Sequence, residues 1–210
     1  MNDYNFNSNY VDGQVGERAV SAMLKAMGIR HSSTTAPGAG RSHQRDEMGR
    51  ALPDFKAVIA RAGVNRKTFI EVKTESAFYY CPIRRHWHTG IKQDLLKDYC
   101  EVAAEKAVDC LIIAIKRNHQ PQRDYFSMKP PAGVWVCNAF DLQRFGYEKP
   151  NKERKPLQSS ARQADGGIWR PLAPWHESTQ SIQTSRAANP EAWDSFFMGE
   201  LPSTIIFSEG

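Results

Sequence analysis

This chain is poor in cysteine, with Cys81, Cys100, Cys110 and Cys137 standing far apart and no C-x-x-C pair among them. That spacing argues against a disulfide or zinc framework and fits reduced thiols inside a cell. No apolar run reaches the roughly eighteen residues of a membrane-spanning helix, so no membrane partner is expected. The opening Met1-Asn2-Asp3-Tyr4-Asn5-Phe6 lacks the basic start and apolar block of a secretory signal. Together these absences lead us to expect a cytoplasmic, intracellular protein. The Gly-containing loop between Gly28 and Arg50 lacks the G-K-[ST] ending of a phosphate-binding loop, so nucleotide binding has little support. No internal repeat stands out.

What the chain does have is length for a core and an uneven charge. Its 210 residues are 40% hydrophobic, enough for one domain with decoration. The formal net charge is +5, and residues 41–92 alone hold 11 Lys and Arg against 5 Asp and Glu. A phosphate backbone is the expected partner of such a field.

Inside that basic region, Leu52-Pro53-Asp54-Phe55-Lys56-Ala57-Val58-Ile59-Ala60 and Thr68-Phe69-Ile70-Glu71-Val72-Lys73 read as two strands of a hairpin. Gly and Asn turn chemistry in the segment Arg61 to Lys67 joins them. Side chains alternate along a strand, so Phe55, Ala57 and Ile59 share one face and Asp54, Lys56 and Val58 the other. Antiparallel pairing sets Asp54 opposite Glu71 or Lys73. Either register keeps Asp54 on their face, because the two differ by two residues. Two carboxylates and an ammonium then project together at the open end, an oxygen-rich site suited to a hard divalent cation.

Pro53-Asp54, sixteen intervening residues, and Glu71-Val72-Lys73 resemble the signature of the PD-(D/E)XK nuclease superfamily, the restriction-endonuclease-like fold. The resemblance covers roughly the first 140 residues. It implies a metal-dependent endonuclease that hydrolyses phosphodiester bonds, with DNA, including branched DNA, as substrate. It further implies Asp54 and Glu71 as ligands of Mg²⁺ (with Mn²⁺ as substitute), the Val72 carbonyl as a third ligand, and Lys73 positioning water. In the branch of Holliday-junction resolvases a first-helix glutamate completes the site, and Glu17 matches it by position. From the residues alone Glu17 reads equally as an exposed helix glutamate beside Arg18, and Glu47 is a rival for the extra acid.

Asp12 is expected to cap a helix from about Gly13 to Met27 with a stripe of Val15, Ala19, Ala22, Met23 and Ala26, and Glu17 off it beside Val20 and Leu24. Arg41, Arg45 and Arg50 precede the Asp54 strand. Arg84, Arg85 and His86 follow the Glu71 strand among aromatic residues, and Lys97 lies early in a second helix marked by Ile91, Leu95, Tyr99, Val102 and Ala103. Arg41, Arg45, Arg84, Arg85, His86 and Lys97 are the candidate nucleic-acid contacts. Cys81, His86 and His88 lack a fourth ligand for zinc. The apolar run Cys110 to Ile115 predicts a buried strand parallel to the Glu71 strand across a helical crossover. Val134 to Phe140 predicts a further strand, with Asp141 capping a short helix. The expected fold is therefore α/β, a mixed sheet flanked by helices, with a core over 1–146 and an irregular extension over 147–210. Trp169, Trp175, Trp193, Phe196, Phe197 and Ile205-Ile206-Phe207 make 169–207 a candidate surface for wrapping the core, forming a homodimer or binding a protein partner. A binding module without turnover is the alternative to the nuclease.

Overall fold

The computed structural model describes residues 3–34, 44–61, 64–75, 79–81, 86–117, 133–148, 161–165, 168–176, 178–183 and 196–197. In chain order the elements are α1 (Asp3–Ala26), β1 (Arg30–Ser33), β2 (Phe55–Arg61), β3 (Val64–Glu75), β4 (Tyr79–Cys81), β5 (His86–Lys92), α2 (Gln93–Glu105), β6 (Asp109–Lys116) and β7 (Gly133–Asn138). There follow α3 (Ala139–Phe145), β8 (Tyr147–Glu148), β9 (Ala161–Asp165), β10 (Arg170–Ala173), β11 (Trp175–His176) and β12 (Ser181–Ile182).

Six strands form the main sheet in the order β1-β2-β3-β6-β7-β10. Only β3 and β6 run parallel; the other neighbours are antiparallel. The parallel pair follows from the helical crossover between the two strands, and the mixed α/β sandwich agrees with the restriction-endonuclease-like arrangement. A four-stranded sheet, β4-β5-β9-β8, lies beside it.

Alternation divides the apolar residues of the sheet into two cores. Ile70, Val72, Leu111, Ile113 and Ile115 face α1 with Val20, Met23 and Leu24. Phe69, Cys110, Ile112 and Ala114 face α2 and α3 with Leu96, Tyr99, Val102 and Leu142. A strand covered on both faces needs a continuous apolar run, and β6 supplies it.

Several boundaries differ from the sequence expectation. Helix α1 begins at Asp3, so Asp12 lies inside it and does not cap it. Its buried face is also turned from the expected stripe: Val20 and Leu24 are buried while Ala22 and Ala26 are exposed. Strand β3 starts at Val64, paired with Arg61, so Arg66 and Lys67 are strand residues. In α2, Leu96 is buried where Leu95 was expected, and Ile91 belongs to β5. Asn138, not Asp141, caps α3, its side-chain oxygen accepting from the Phe140 N–H at 2.9 Å.

The C-terminal segment contributes to the sheet. Strand β10 pairs with β7 at the edge, where Pro171 is tolerated, and the ladder shifts register between Pro171 and Ala173. Trp169, Trp175, Ile182 and Phe197 are buried in the cores. Those side chains are taken up by the fold, so a partner surface over 169–207 would have to use others.

Gly16 sets how closely α1 approaches the sheet. It is buried, and a Cβ there would run into Thr74 Oγ1 on β3, with Ile115 Cδ1 at 3.3 Å. Gly16→Ala is therefore expected to destabilise the fold by about 1–3 kcal/mol, the usual range for overpacking. Thr74 Oγ1 is buried without a hydrogen-bond partner among the described residues, so adding Thr74→Ala removes the clash at little cost. Urea unfolding of the single and double variants checks this: the double variant recovers most of the loss.

Candidate metal and catalytic centre

The hairpin register decides which groups meet. Phe55 pairs with Ile70, so Asp54 falls opposite Glu71, one of the two registers the sequence allows. Strand β2 ends there, and the next inward-facing N–H of β3 has no strand partner. The Asp54 carboxylate takes that place, accepting from the Val72 N–H at 2.8 Å. Within a strand a residue's carbonyl points the same way as its N–H, so the Val72 carbonyl also faces the Asp54 side. From behind, Thr34 fixes this segment: its N–H donates to the Asp54 carbonyl at 2.8 Å and its hydroxyl donates to the Pro53 carbonyl.

Glu71 does not project into solvent as expected. Its side chain is fully buried beneath α2, and Lys73, 23% exposed, reaches Glu71 Oε1 in an ion pair. Burial comes from α2, whose Tyr99 hydroxyl lies against the same carboxylate. Burial, the charges of Glu71 and Asp54, and this contact push the Tyr99 hydroxyl far above its ordinary value. The contact is electrostatic rather than well aligned, since neither Glu71 oxygen meets a hydrogen bond of good geometry among the described residues. The sequence placed Tyr99 only in a core stripe; its hydroxyl end is the signal that a polar partner lay beneath.

Glu17 completes the group from the other side. Because Gly16 lets α1 lie directly on β3, the half-buried Glu17 is brought within electrostatic reach of the strand end. Burial, then the charge of Glu71, raises the Glu17 carboxyl, while Lys73 and Arg18 oppose the rise. Burial likewise holds the Asp54 carboxyl well above the usual range, followed by Glu71 and Glu17, against Lys73 and the Val72 N–H. Among the described residues, three carboxylates thus repel one another around one ammonium. Among the described residues no group of three or more His, Cys, Asp or Glu forms a ready metal cage. The close pair is Asp54 with Glu71; Glu17 acts on them through charge.

Glu47 is exposed in the turn after Asp46 and is absent from the charges acting on Asp54, whereas Glu17 is among them. The basic candidates are less gathered. Arg45 is exposed and bonded to the Gly49 carbonyl within its own turn, and Arg50 is held by Asp46 and Glu105. Lys97 is exposed on α2, 3.7 Å from Glu101. Arg41, Arg84 and Arg85 lie outside the described residues, and His86 is placed by its backbone alone, at the start of β5. The zinc candidates Cys81 and His88 are likewise placed only by backbone. Cys100, Cys110 and Cys137 are free, buried thiols, that of Cys100 pushed up to about 12 by burial and Glu101. No described helix is long and apolar enough to cross a membrane.

No family model matches the chain, and no curated protein does. Among solved structures it is similar to Hjc, a Holliday junction resolvase of the archaeal hyperthermophile Archaeoglobus fulgidus. Identity is 12% and the TM-score 0.42, over 74% of this chain and 89% of that one. A likeness of that size leaves the activity to be judged from the residues themselves.

Proposed function

We propose that the chain is a divalent-metal-dependent endonuclease acting on DNA. The observation that carries this reading is the convergence of Asp54, Glu71 and Glu17 on the ammonium of Lys73, more negative charge than Lys73 alone can balance among the described residues. Buried carboxylates are ordinarily paired or bound to metal. The donors suit a hard cation that takes one or two carboxylates and keeps several waters: Asp54 and Glu71 would hold it, with the Val72 carbonyl facing the same side. Glu71's poorly satisfied oxygens fit the same role.

A bound Mg²⁺, or Mn²⁺ in its place, supplies an acidified water and polarises a phosphoryl oxygen. The residues do the rest. Lys73, partly open to solvent, orients water toward the phosphate and offsets charge on its oxygens. Glu17, half-buried beside the strand end, would assist Asp54 and Glu71 in holding the cation. Tyr99 and α2 keep bulk water from Glu71, and a homodimer would suit paired cuts on two strands.

The test is incubation of the full chain with plasmid, single-stranded and branched DNA and with RNA, in Mg²⁺, Mn²⁺ or EDTA. DNA cleavage with either metal and none in EDTA is the expected result. Absence of cleavage in every metal, with binding intact, favours the module without turnover.

A further inference from the structure

On the sheet face that carries Asp54 and Glu71, farther along the same strands, a groove of about 670 Å³ is lined by Arg30, Lys56, Lys67 and Lys106, with Phe69 and Val108 at its floor. Among the described residues its lining contains no acid, and none of the four cations takes an ion-pair partner. All four are exposed. Arg50, Lys73 and Lys97, by contrast, each face a carboxylate.

Register fixes how the charges are spread. Arg30 on β1 and Lys67 on β3 both pair with Val58, which puts them at one level, about 10 Å apart across two strand spacings. Lys56 stands one pleat repeat nearer the site, its Cα about 7 Å from that of Asp54. Lys106 closes the side under α2. Charges strung over two levels and three strands do not converge on one ion; they suit a chain of phosphates. Phe69 is buried and offers no stacking face, so the contact is with backbone rather than bases.

We infer that this groove binds the sugar–phosphate backbone of a nucleic acid and leads it along β2 toward Asp54. Its direction rests on the nuclease reading, but its binding can be tested apart from cleavage. Anisotropy of a labelled DNA duplex with the full chain in EDTA, over a range of salt, compares Lys56→Gln with Lys67→Gln as a double variant against Lys25→Gln with Arg144→Gln. The second pair removes equal charge from α1 and α3. Circular dichroism confirms that both are folded. The groove pair is expected to weaken binding about tenfold or more at low salt and to make the salt slope shallower by roughly 2, one per lost phosphate contact. The control pair is expected to leave the slope near the parent's. Equal behaviour of the two pairs, or no duplex binding by the parent, overturns the inference even if the chain cuts DNA. Binding that tracks the groove without cleavage in any metal sustains it while the nuclease reading fails. Binding of tripolyphosphate at these residues with no response to duplex also overturns it.

Discussion

Asp54→Asn is expected to give a folded chain that melts higher than the parent at neutral pH yet cleaves DNA about 10³-fold more slowly. The activity loss follows from removing one of the two close carboxylates that would hold the cation. The gain in stability follows from the repulsion around it. Burial, Glu71 and Glu17 raise the Asp54 carboxyl well above its ordinary value, so the folded state holds the proton more tightly than the unfolded chain. A raised carboxyl contributes stability that is complete below the ordinary carboxylate range and is lost as pH rises through the folded value. At neutral pH, above the ordinary carboxylate range, the unfolded chain has already given up this proton, so keeping the group buried is a net cost. Asparagine can still accept from the Val72 N–H but carries no charge. Each kcal/mol relieved adds about 2–4 °C for a chain of this size. Thermal melts across pH check the sign: the gap between variant and parent closes on acidification, and Mn²⁺ raises the melting temperature of the parent more than that of the variant.

Lys73→Met is expected to damage activity as well but to act oppositely on stability. Among the described residues Lys73 is the one ammonium beside the three acids, and its loss leaves the fully buried Glu71 carboxylate without its ion-pair partner. Breaking a buried pair costs about 3–5 kcal/mol, and the partial exposure of Lys73 places this case at the lower end. Loss of a positioned cation beside the phosphate lowers cleavage by about 10²–10³-fold. Lys73→Arg keeps the charge and restores most of the stability, while its altered reach restores little of the rate. Single-turnover cleavage and denaturant unfolding separate the two effects. An inactive variant with unchanged stability would show that Lys73 does not neutralise Glu71.

The hairpin was legible because period-2 alternation and the length of the apolar runs constrain it closely. Phe55, Ala57, Ile59, Ile70 and Val72 face one core as the pattern requires, and Asp54 falls opposite Glu71. The crossover to β6 was legible from its uninterrupted apolar run. The extent of the turn was not, because Arg66 and Lys67 are exposed strand residues whose polarity looks like a loop. The start of α1 was hidden by a polar, Asn-rich segment of low helix propensity. Burial of Glu71 escaped notice because it depends on α2 and Tyr99, more than twenty residues away in sequence. The basic groove was equally hidden, since Arg30, Lys56, Lys67 and Lys106 meet only once three strands and a helix end are assembled.

A crystal of the full chain soaked in Mn²⁺ and measured for anomalous scattering addresses the centre itself. The predicted result is a peak between the carboxylates of Asp54 and Glu71 on the side of the Val72 carbonyl, absent from Asp54→Asn crystals. Strong peaks elsewhere and none at this strand end would contradict the account.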